Sequence, residues 1–260
     1  MKGSGKYWAF ARIACRDALH QRGELYGRTL FFAVILAVFA ALWQAVAEAG
    51  MPLAARPQAL VWYLAVTEWI LLSAPLRHLE LQEQVRRGDV VCQLSRPLAY
   101  PRALVAECLG MLLVRAPWLG VVAFGAAYAY TGEAPSWSAL ALVVPFGLLS
   151  ALVLAELYLV LGLVAFWLRD ATPLYWVSGK LTFILGGLML PLELYPRWLQ
   201  LLAACTPFPS LLAGPGGFVL HGSVGAAALA ARLSFWCCAL FGLLKLVFWR
   251  ATRALEVSGG

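Results

Sequence analysis

Four ionisable residues sit inside long apolar stretches of this 260-residue chain: Glu68, Arg115, Glu156 and Lys180. A charge at such a position costs about 3 kcal/mol to insert into hydrocarbon, so each needs a partner or a task. Two acids and two bases can form interhelical ion pairs that fix packing. They can also line a translocation path or a gating network. Glu107 and Lys245 lie near enough to segment ends for their charged tips to reach an interface. No enzyme constellation is present. His20, His78 and His221 are scattered, and there is no HExxH or GxSxG. Cys15, Cys92, Cys108, Cys205, Cys237 and Cys238 show no CxxC or ligand-like spacing, as expected of small packing residues and not of a metal site. Gly3-Ser4-Gly5-Lys6 matches only the tail of a phosphate-binding loop. It lacks the first glycine, has Tyr7 where a hydroxyl should bind magnesium, and follows no strand. The chain itself is expected to bind no cofactor.

The elements that must position these residues follow from composition. Hydrophobic residues make up 62% of the chain and charged residues 13%, about half the roughly 25% charge of a soluble domain. That excludes an ordinary water-soluble fold, and equally a disordered chain. A helix crossing roughly 30 Å of hydrocarbon needs about 20 apolar residues. Six segments qualify: 29–47, 58–76, 103–130, 137–168, 172–191 and 224–249. The expected fold is all-α and integral to the membrane, with six transmembrane helices. Counting from the nearest boundary charge puts Glu68 about 13 Å deep, Lys180 about 15 Å, and Arg115 and Glu156 about 20 Å.

Basic residues set the orientation, because cytoplasmic loops are enriched in Lys and Arg. Residues 1–28, 77–102 and 251–260, with Arg169, Asp170 and Arg250, hold most of the 20 basic residues and carry the whole net charge of +7. Both termini are therefore expected in the cytoplasm, and the positive charge belongs to the membrane surface and not to nucleic acid. The chain divides into a cytoplasmic amphipathic N-terminal helix (1–28), a six-helix membrane domain (29–250) and a cytoplasmic tail (251–260). In the first piece Tyr7, Phe10 and Ala14 share a stripe that Trp8, Cys15 and Leu19 extend, which reads as a helix lying in the headgroup layer. The loop at 77–102 predicts a short helix broken at Gly88, with Pro97 and Pro101 preventing its extension. It has the shape of a docking element. Prolines 191, 196, 207, 209 and 215 cut residues 191–222 into short re-entrant extracellular pieces, expected to pack over the mouth of the last two spans.

Two blocks carry a resemblance. The first runs Glu83-Gln-Val-Arg86-Arg-Gly88-Asp89, then Leu94-Ser-Arg96-Pro97-Leu98. The second passes from Phe166-Trp167 through Gly186-Gly187, Pro191-Leu192 and Tyr195-Pro196 to Pro207-Phe208. In order and spacing they are similar to the permease subunit of type-2 ABC transporters, in particular a six-span bacterial group of ABC-2 family transporter proteins. The sequence departs in having Val90 where Leu is more usual, and Gly186-Gly187 where Ser-Gly is common.

The resemblance implies a subunit of the bacterial inner membrane that pairs with itself or a sister permease. It would be bound to two cytoplasmic ATPase subunits, which hold the ATP and magnesium. Glu83, Arg86, Gly88, Asp89, Arg96 and Pro97 would then couple the permease to ATPase motion. Pro191, Pro196, Pro207 and Phe208 would shape the exit for a hydrophobic or amphipathic substrate. The competing readings are a secondary transporter driven through the buried acids, and an ABC permease working as an importer.

Overall fold

The structure is a computed structural model in which residues 4–50, 55–87, 89, 99–168 and 170–258 are described. Among them there is no strand. The chain folds as α1 (Ser4–His20), α2 (Arg22–Glu48), α3 (Pro57–Ser73), α4 (Arg77–Arg87), α5 (Tyr100–Thr131), α6 (Trp137–Leu163) and α7 (Thr172–Leu185). The short α8 (Arg197–Ala204), α9 (Phe208–Leu211) and α10 (Ala213–His221) follow, and α11 (Ala226–Ser258) closes the chain. Five stretches are long and apolar enough to cross a membrane: Arg22–Glu48, Pro57–Arg87, Tyr100–Thr131, Trp137–Phe166 and Ala226–Arg253.

A helix that is apolar on every side belongs in the interior. α3 is that helix: residues 60–70 are all buried, and α2, α5, α6 and α10 pack around it. Trp69 holds the centre. Its Nε1 donates to the Ala116 carbonyl of α5 at 2.8 Å, while its ring lies against Gly120 of α5 and Gly147 of α6. A Cβ on Gly147 would sit 2.3 Å from Trp69 Cζ3. Gly147→Ala is therefore expected to cost about 1–3 kcal/mol by overpacking, with Trp69→Phe in the same chain restoring part of the loss. Equal apparent melting temperatures for Gly147→Ala and wild type would contradict this junction.

Pro75 ends α3. The residue before a proline is pushed to extended geometry, and Ala74 has ψ 128°. The chain resumes as α4 at Arg77, at a new angle.

Several expectations are corrected. The segment 172–191 does not form a full-length helix: α7 stops at Leu185 after 14 residues, about 21 Å against the roughly 30 Å needed. Gly186-Gly187 breaks it, with Gly187 at φ +65°, where a side chain would be strained. The first two helices meet at Gln21, and α11 continues past Arg250 to Ser258. α1 turns its alanines to the protein. Ala11, Ala14 and Ala18 are its buried face, while Trp8 is 61% and Leu19 54% exposed. The alanines allow α1 to press against α5 so closely that a Cβ on Gly110 would lie 2.0 Å from the Ala11 carbonyl oxygen.

Residues 191–222 form short helices; Pro196 and Pro207 precede α8 and α9, while Pro209 and Pro215 lie inside α9 and α10. These helices pack chiefly on α3 and α6, and less on α7 and α11, which differs from the expected cover over the last two spans. The turn that leads into them is anchored by polar groups of α3. The Tyr63 hydroxyl donates to the Gly187 carbonyl, and Thr67 Oγ1 donates to Leu188 O at 2.6 Å.

Candidate functional site

At one end of the bundle α4 presents a charged face. Its acid Glu80 lies in the first turn and its bases Arg86 and Arg87 in the last, the arrangement that complements the helix dipole. Leu81 and His78 are buried. Leu81 enters a cluster with Tyr100, Leu104, Leu159 and Leu163, and the His78 ring stacks on Tyr175 at 4.2 Å. Arg77 pairs with Glu80 and with Glu107 of α5 at 2.8 Å. One face of α4 is thus fixed to α5 and α6.

The other face is exposed at Arg86 and Arg87. Glu83 pairs with Arg87 at 2.7 Å and Arg86 at 3.4 Å, contacts that stabilise little at this exposure but order the tip. Asp89 is exposed beyond them. Of the coupling residues, Gly88, Arg96 and Pro97 lie outside the described residues. Beside α4 opens a polar groove of about 770 Å³ lined by Gln82, Arg86, Phe166, Trp167 and Asp170. Asp170 accepts from the Thr172 N–H at 2.9 Å and from Gln82 at 3.1 Å. The bonds from Thr172, more than that from Gln82, hold its carboxyl below the ordinary carboxylate range.

The four charges of the apolar stretches are not brought together. Arg115, 4% exposed, pairs with Glu24 at 2.6 Å, near the start of α2. Arg115 lies on α5, a helix of 32 residues, about 48 Å long. Glu156 of α6 accepts a long bond from Cys237 of α11 at 3.8 Å. Glu68 Oε2 is buried without a hydrogen-bond partner among the described residues. Lys180 is exposed on α7. Among the described residues no His, Cys, Asp and Glu group has the makings of a metal site.

Two residues missed in the sequence matter here. Glu24 accepts from Arg28 at 2.7 Å while its second oxygen takes Arg115. Arg28 also donates to the carbonyls of Leu72 and Ala74, two of the open acceptors left where α3 ends. The i,i+4 spacing of Glu24 and Arg28 was a readable signal; their partners far along the chain were not. Arg28, Glu24 and Lys180 border a cavity of about 550 Å³ between α2, α3, α6 and α7.

At the far end, Pro191 is buried at the entry to the turn Leu192–Leu194. Pro196 and Pro207 stand at the N-caps of α8 and α9, and Phe208 is buried. These residues fix the turns of the segment that Tyr63 and Thr67 anchor.

Several long apolar helices with a charged, helix-pinned face at one end define a multi-pass α-helical membrane protein. The family model described as ABC-2 family transporter protein matches residues 58–259. The chain belongs to that family, and is a membrane permease of an ABC transporter, a transport subunit and not a catalytic one. Membership implies association with ATPase subunits. The matched range starts inside α3, so α1 and α2 lie before it. No curated protein matches the chain.

Proposed function

We propose that this chain is an export permease of the bacterial inner membrane, working as a homodimer or with a sister permease and moving a hydrophobic or amphipathic substrate. Separate ATPase subunits bind ATP and magnesium and supply the force. The observation that supports this reading best is α4: one face fastened to α5 and α6, the other charged and exposed beside a polar groove. A segment so built transmits a push from a cytoplasmic partner to the bundle. Glu83, Arg86 and Asp89 are assigned as its contact residues, with Gly88, Arg96 and Pro97 in the continuing loop.

The α4 end is cytoplasmic in this reading, together with both termini and the domain limits of 1–28, 29–250 and 251–260. α7 supplies a sixth crossing only together with the Gly186–Leu188 turn that follows it, its 14 residues being too short alone. It starts beside α4, through the Gln82–Asp170 bond, and ends where Tyr63 meets Gly187, close to the opposite end of α3. The re-entrant pieces with Pro191, Pro196, Pro207 and Phe208 complete the outer part and border the exit. Glu68, Arg115, Glu156 and Lys180 are assigned to the path or to its gating.

The test uses vesicles holding the permease with its co-expressed ATPase. Arg86→Glu with Asp89→Arg is expected to lower permease-stimulated ATP hydrolysis about tenfold, the effect of losing roughly 1.4 kcal/mol of coupling. Thermal stability should not change, because both side chains are exposed. Undiminished stimulation would remove α4 as the coupling element. Substrate flux that follows a proton gradient without ATP would instead favour a secondary transporter, and inward flux an importer.

A further inference from the structure

The cavity between α2, α3, α6 and α7 has an uneven charge balance. Glu24 is the one acid among its lining residues, and both of its oxygens are committed, Oε1 to Arg28 at 2.7 Å and Oε2 to Arg115 at 2.6 Å. Lys180, on the α7 wall, has no acidic partner among the described residues. Two arginines and a lysine thus share one carboxylate beside a membrane interior, where each unmatched charge is costly. The nearby acids Glu80 and Glu107 are both taken by Arg77.

The rest of the lining is of a different kind. Leu71, Leu72 and Leu76 form one wall, and Tyr175, Trp176 and Phe183 the other. The volume of about 550 Å³ lies within the roughly 300–1,000 Å³ of ligand sites. Gly27 and Gly179 keep it open: a Cβ built on either meets no atom within 4 Å. Trp176 is 62% exposed.

We infer that this cavity binds an amphiphile with an anionic head, the head against Arg28 and Lys180 and the chain along the leucine and aromatic walls. An anionic head supplies the missing negative charge, and an apolar tail suits walls that water would wet poorly. The leaflet is the one on the α4 side. Such a molecule has two sources, an anionic bilayer lipid or the transported cargo. Binding rests on the cavity alone; only its description as a cargo site rests on the permease reading.

The experiment measures lipid retained by the full chain in neutral detergent, using native mass spectrometry with dioleoyl phosphatidylglycerol and dioleoyl phosphatidylcholine. Wild type is expected to prefer phosphatidylglycerol about fivefold, the scale of one partly screened charge contact. Lys180→Gln should bring that preference close to unity. Gly179→Leu, which fills the space and leaves the charges, should reduce retention of both lipids. Both positions are open enough for the fold to survive. Equal retention of the two lipids by wild type, or a preference unchanged by both variants, would overturn the inference. Oleoyl lysophosphatidic acid then separates the sources in the complex with its ATPase. Stimulation of ATP hydrolysis at concentrations that displace phosphatidylglycerol identifies cargo, and displacement without stimulation identifies a resident lipid; either result supports the site.

Discussion

Valine in place of Gly110 is expected to lift α1 off α5. The atom in the way is the Ala11 carbonyl oxygen, 2.0 Å from where a Cβ would be. Being backbone, it cannot rotate aside as a side chain tip would. Overpacking commonly costs about 1–3 kcal/mol, and this substitution should reach the upper end. The helices must separate, and the contacts of Ala14 and Ala18 with Met111 and Val114 separate with them. Hydrogen exchange should quicken through α1 while α3 and α6 stay protected, because local opening follows local contacts. Gly125→Val is the control. It lies on the same helix, but its Cβ would meet nothing within 4 Å. Identical melting and exchange in the two variants would show that the α1–α5 contact is looser than described.

Removing the carboxylate of Glu24 is the second large effect. Glu24→Ala leaves Arg115, whose side chain is only 5% exposed, without its counter-charge, and takes a partner from Arg28. Stripping one member from a buried pair costs about 3–5 kcal/mol. Glu24 keeps 35% of its side-chain surface, so the loss is expected near the lower limit. Replacing both residues, as Glu24→Leu with Arg115→Leu, should recover most of the stability, since apolar substitutes avoid the desolvation of two charges. A melting temperature for Glu24→Ala within the scatter of ordinary surface variants, about 0.5 kcal/mol, would mean that solvent already reaches Arg115.

The long helices were legible in the sequence because apolar length is a local property. So was the end of α4 beside Gly88, and the breaks at Pro196 and Pro207. The fate of Arg115 was not. Its partner Glu24 lies 91 residues away along the chain, and only packing brings the two together. α7 shows a local error: Gly186-Gly187 was visible, but it was counted into an apolar run as if the helix passed through it. Trp69 gave no signal at all. Its significance comes from Gly120 and Gly147, 51 and 78 residues away along the chain, and only packing brings them together. Glu68, Arg115, Glu156 and Lys180 were legible only in part for the same reason. Their type was readable, but their partners were set by tertiary contacts with Glu24 and Cys237.

Arg28 deserves a last consequence. Its guanidinium caps the end of α3 at the joint leading to α4, and the same group borders the cavity. Rotating α4 about residues 74–76 must disturb the bonds to Leu72 and Ala74, and a molecule in the cavity competes for the same N–H groups. Two equilibria that draw on one set of donors are thermodynamically linked, and the linkage is reciprocal. Whatever free energy a bound anion gains by pulling Arg28 from the joint, a push on α4 must return when it expels that anion.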